Sequence, residues 1–141
     1  MSRKKRSQDW AERLAEYLVN AQSRPFEWGA HDCALHGANA VLAQTGEDFA
    51  ESFRGTYSSA RGAKQALLDH GHGDLQATVT AFLGPPMENK KMAQRGDLVQ
   101  FDSGIGAALG VIDLSGAQFA AVTPKGLIRL PLSSADLVWR V

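Results

Sequence analysis

A single cysteine in 141 residues leaves this chain nothing to pair with, so no internal disulfide can form, and that thiol usage fits a reducing compartment. Charge of one sign is equally scarce. Fifteen Lys and Arg balance fifteen Asp and Glu to a formal net charge of +0, which argues against a domain-wide basic surface for nucleic acid. No apolar run reaches the length of a membrane span and none follows the basic start, so neither a bilayer-crossing helix nor a secretory leader is expected. Synthesis in a cytoplasm follows, while the compartment of action stays open, because export by lysis leaves no mark on a sequence. Internal repeats and low-complexity tracts are also missing, and 44% hydrophobic with 21% charged residues excludes a disordered or fibrous chain. The expectation is one domain, residues 1–141, burying about two-thirds of its unfolded surface.

What is present divides the chain in two. A basic arm, residues 1–6 with "SRKKR", reads as a solvated N-terminal segment. Residues 7–84 read as mainly helical. Trp10, Leu14 and Leu18 repeat at helical spacing behind Ser7, a candidate N-cap, with Asp9 in the first turn. A second helix has Asp32 as N-cap, buries Leu35, Ala38, Val41 and Leu42, and stops at Gly46. A third is expected over residues 59–70 with Ala63, Ala66 and Leu67 on one face and Gly71 as its stop, and a short fourth in "LQATVTAFLG". Residues 96–141 change to short apolar runs punctuated by glycine, "GDLVQF", "ALGVID", "AQFAAVT", "GLIRLPL" and "LVWRV", which read as strands joined by tight turns. Helices first and strands after give an α+β fold, N-terminal helices packed on a C-terminal antiparallel sheet or half-barrel. The polar stretch "PPMENKKMAQR" between them reads as a surface loop.

The only cysteine falls in "WGAHDCALHGANAV", at a predicted helix N-terminus, where free N–H groups and the partial positive charge can lower a thiol pKa and hold an oxyanion. Against this stands the tendency of a free cysteine simply to fill space. His36, three residues on, can approach Cys33 along one helix face, and His31 lies two residues before it. A metal reading joins Cys33 and His36 (C-x₂-H) to His70 and His72 (H-x-H) as four ligands for tetrahedral zinc, although "DHGHGD" reads better as a glycine-rich helix stop. Trp28 either walls a cleft or anchors the helix behind it. Asp97 is expected to cap a turn, and Trp139 to lie in the sheet core.

The order of "WGxxDC", a helix and then "GDLV" resembles the NlpC-type cell-wall peptidases, papain-like cysteine hydrolases, over roughly residues 25–130. "HDCALHGANAV", "FRGTY", "AQRGDLV", "ALGVID", "GLIRLPL" and the terminal "WRV" are similar to a compact, phage-encoded branch found among tail genes and without an assigned activity. The resemblance implies a papain-like fold, Cys33 as nucleophile with Asp32 and Cys33 at the oxyanion-holding helix start, and no cofactor. It also implies other tail proteins of hub, tip or baseplate as partners, cell-wall peptide as substrate, and a place in the virion tail. The match breaks at the base. In the peptidases a strand begins "HVGI" with the catalytic histidine, and "ALGV" puts Ala108 there; the third polar group falls in "FAA", residues 119–121. A thiol without a positioned base loses on the order of 10⁴ to 10⁶ in rate. The expectation is therefore a catalytically silent tail component, the competing one an active cysteine amidase or peptidase with His36 or His31 moving the proton.

Overall fold

The computed structural model describes residues 5–141. Helix α1, Trp10–Ser23, buries Leu14, Leu18 and Ala21. Ser7 does not cap it. Its N–H and hydroxyl both reach the Gln44 carbonyl, at 2.8 and 3.2 Å, and Asp9 takes the N-cap position without a side-chain bond. Ser7 thus fastens the incoming chain to the end of the second helix rather than starting the first.

Helix α2, Leu35–Thr45, ends at Gly46 in the left-handed conformation, φ 76°, as the glycine stop predicts. Leu42, expected in the core, is instead exposed, because it sits about a hundred degrees round the helix from Val41, beyond the stripe that faces the sheet. Helix α3, Ala60–His70, is capped by Ser59, whose hydroxyl accepts from the Gly62 N–H at 3.0 Å. Helix α4, Leu75–Leu83, is capped by Asp74, which accepts from the Ala77 N–H at 2.7 Å.

The five apolar runs form β1 Leu98–Asp102, β2 Ala107–Ile112, β3 Gln118–Thr123, β4 Gly126–Pro131 and β5 Leu137–Trp139. They make one antiparallel sheet in the order β4-β3-β2-β1-β5: four strands meander and the fifth returns beside the first. Together with the four helices this is an α+β architecture. The central strands are buried on both faces, with Leu109, Val111 and Ile112 in β2 and Phe119, Ala120 and Ala121 in β3. Helix α2 lies directly on β2. A methyl group at Gly37 would stand 2.7 Å from the Leu109 Cβ, so only glycine permits this approach.

Two surface segments are more firmly held than the sequence implies. Arg6 is no solvated arm residue: its guanidinium stacks 4.1 Å over the Trp10 ring and meets the buried Asp97 carboxylate at 3.2 Å. The arm's first four residues lie outside the described part of the chain. The loop after α4 includes a 3₁₀ turn at Lys90–Met92 and is pinned by the Met87 N–H on the Val138 carbonyl (2.8 Å) and the Lys90 ammonium on the Ala135 carbonyl (3.1 Å). Among the described residues no helix is long and apolar enough to cross a membrane.

Candidate functional site

Asp32 organises the start of α2. Its carboxylate accepts from the Ala34 N–H at 3.0 Å and the Leu35 N–H at 2.8 Å through one oxygen, and from the Gly29 N–H at 2.9 Å and the Tyr57 hydroxyl at 2.6 Å through the other. Its backbone carbonyl accepts from the His36 N–H at 3.0 Å, so Asp32 caps the helix as its sequence position predicts. Gly29 holds a positive φ of 82°, and a side chain there would stand 2.5 Å from the Tyr57 carbonyl oxygen. The turn before the cysteine is therefore fixed from both sides.

Cys33 follows in that turn, half-buried, with its carbonyl accepting from the Leu109 N–H of β2 at 2.8 Å. Its side chain packs on the cluster that contains Ala108, Phe101 and Phe119. Burial and then the neighbouring Asp32 charge push the thiol up to about 11, which holds it in its neutral form at pH 7. The Cys33 N–H offsets only a small part of this, and the Asp32 carboxylate already occupies the N–H groups of Ala34 and Leu35.

The histidines do not serve the thiol. His36 is wholly buried, and both ring nitrogens are committed: Nε2 lies 3.0 Å from the Ala120 carbonyl of β3, and Nδ1 lies 2.6 Å from the Tyr17 hydroxyl of α1. Nε2 therefore donates and Nδ1 accepts. Burial pulls its pKa down to about 4. His31 is buried as well, its ring 6.3 Å from that of His36, and burial followed by the Arg24 charge lowers its pKa. Neither imidazole lines the space in front of Cys33. His70, the last residue of α3, and His72 just after it are exposed, with His70 against Phe53 at 6.0 Å. Among the described residues no three His, Cys, Asp or Glu side chains converge as metal ligands, so the set Cys33, His36, His70 and His72 is not assembled.

In front of the thiol is a cleft of about 400 Å³. Trp28, Phe53, Tyr57, Leu67 and Leu75 wall it on the helical side, and Ile105, at the tip of the β1–β2 turn, stands opposite. Of the two readings of Trp28, cleft wall or helix anchor, the structure places it in the cleft lining, packed at 4.9 Å on Phe26 and 6.5 Å from Tyr57. Sequence reasoning missed both tyrosines. Tyr57 lies in the "FRGTY" stretch, and the signal that a buried carboxylate needs an O–H donor was there to be used. Tyr17 falls where the first helix faces the second.

The fold and the site together define a class: an α+β domain with one thiol at the foot of a helix that rests on an antiparallel sheet, beside an apolar cleft. The chain belongs to the family described as Domain of unknown function (DUF6950), which matches residues 5–141. No curated protein matches the chain.

Proposed function

We propose that this chain is an NlpC-type, papain-like fold without hydrolase chemistry that serves as a structural component of a phage tail, at its tip or hub. One observation carries the reading. Cys33 faces a cleft that no imidazole lines, with Ala108 in the cluster beneath it and both nitrogens of His36 engaged elsewhere. A thiol raised to about 11 has no imidazole beside it to take its proton and return it to a leaving amine, which suits the cleft to holding a chain rather than cutting it. The placement in a tail rests on the motif resemblance alone. Other tail proteins would be the partners and cell-wall peptide the competing ligand.

Two experiments test this. Incubation of the protein with cell-wall peptides is expected to give no cleavage above that of Cys33→Ala; cleavage lost in that variant would establish the cysteine amidase instead. Purified virions are expected to contain the chain in their tails, and a chain left free in the lysate would remove the tail role.

A further inference from the structure

The imidazoles of His31 and His36 lie edge to face in a closed interior that the cleft does not use. Four parts of the fold meet there: α1 through Tyr17, residues 24–31, α2 through His36, and β3 through the Ala120 carbonyl. His31 is held in place only by its backbone, in a bridge with Glu27 of 2.8 and 2.9 Å. Neither of its ring nitrogens has a hydrogen-bond partner. We propose that this pair is an acid-sensitive latch: protons entering at His31 and His36 release α1 and residues 24–31 from α2 and β3, opening the Trp28 wall of the cleft while the central strands stay folded.

The chemistry of each ring gives the direction. A second proton on His36 goes to Nδ1, the atom that accepts from the Tyr17 hydroxyl, and two donors then face each other. The hydroxyl has the His36 carbonyl at 3.3 Å and the Asn39 side chain as local alternatives, neither of which ties α1 to the His36 ring. A proton on His31 creates a cation with two N–H groups in a closed space; the Ala21 carbonyl favours it but lies outside hydrogen-bond geometry. The surrounding charges do not compensate. From α1 and its end come Tyr17, whose own pKa burial raises, and Arg24, which repels a proton. Asp32 attracts one, but its oxygens already accept four hydrogen bonds. Arg54 acts on Tyr17 from the segment after α2 and is itself paired with Asp48. From β3, residues 119–121 are buried and apolar.

Both folded pKa values lie below the ordinary 6.5, so the opened form binds protons first. The latch is fully closed above about pH 6.5 and weakens as pH falls toward the folded value of about 4 for His36. Within that window the opening constant rises about tenfold per pH unit for the His36 proton, and more steeply where His31 takes its proton as well.

Hydrogen exchange of the intact protein at pH 7 and pH 5, corrected for intrinsic rates, is the test. Protection is expected to fall by about tenfold or more in α1 and residues 24–36 at pH 5, with little change in β1 and β2. In the double variant His31→Phe, His36→Gln, where glutamine keeps a donor for Ala120 and an acceptor for Tyr17 without titrating, that pH dependence should vanish. Equal pH dependence in variant and wild type, or uniform loss of protection across the sheet, would overturn the latch. Should the variant fail to fold, ring-proton NMR titration of the wild type decides: the His36 imidazole is expected to stay neutral at pH 5, and that of His31 to titrate below the ordinary value. Ordinary titration of both His31 and His36 would refute the proposal.

Discussion

Asp32 accepts from four donors on two buried oxygens, and those donors serve three structural duties: two start α2, one fixes the Gly29 turn, and one holds Tyr57 against the cleft wall. Asp32→Ala strands them together, and a loss of about 3 to 5 kcal/mol is expected by urea unfolding, since each buried unpaired donor costs about 1 to 3 kcal/mol. Tyr57→Phe removes only one bond to the charged oxygen and should cost about 1.5 to 3 kcal/mol. The same carboxylate holds the thiol in its neutral form. Asp32→Asn should lower the Cys33 titration midpoint, followed by thiolate absorbance, from about 11 toward the ordinary 9, but not all the way, because burial is the larger cause and remains. An unchanged midpoint would show that the Asp32 charge does not reach the sulfur. The capping role of Asp32 was legible in the sequence because it depends on residues within three positions; its bond to Tyr57, twenty-five residues away, was not.

At the level of elements, the close seating of α2 on β2 decides where the thiol stands. Gly37 faces the Leu109 side chain and the Leu98 methyl, and the Cys33 carbonyl takes the Leu109 N–H just ahead of it. Gly37→Ala, a favourable change in an isolated helix, is expected to destabilise the protein here by about 1 to 3 kcal/mol through overpacking. It should also tilt the helix start away from the sheet and speed alkylation of Cys33, a rate readable with a small thiol reagent at fixed pH. The helices and strands themselves were readable from short-range signals: Ser59 before α3, Gly46 after α2, and glycine turns between strands. What short-range signals could not supply was the direction of His36. Its spacing to Cys33 allowed an approach along one helix face, yet an imidazole at that position meets a hydroxyl from α1 and a carbonyl from β3 first. Leu42 and Ser7 depart from expectation for the same reason, since neighbours from distant elements decide which side of a helix is inside.

Across the whole molecule, the helical and strand halves are joined by bonds that neither half can replace. Gln44, fully buried at the end of α2, donates to the Gly96 carbonyl at 2.9 Å; Trp139 in β5 donates to the Thr80 hydroxyl of α4 at 3.2 Å; and Asp97 gathers Arg6, the Gln94 N–H and the Val141 N–H. The turn before α2 and the helix itself reach across the seam into the strand half: Cys33 to Leu109, His36 to Ala120, Gln44 to Gly96. The division into a helical and a strand half, plain in the sequence, is therefore not a division into separately stable parts. Residues 7–84 produced alone would expose the apolar face of α2 and leave the His36 and Gln44 donors without their carbonyls, and helices of this length are marginal in water without tertiary packing. That fragment is expected to show weak helical circular dichroism and no cooperative thermal transition, whereas the full chain should lose its helical and tryptophan signals at one common midpoint. A fragment that melted cooperatively on its own would mean that the seam contributes position rather than stability, and that Cys33 is held at its place by the helices alone.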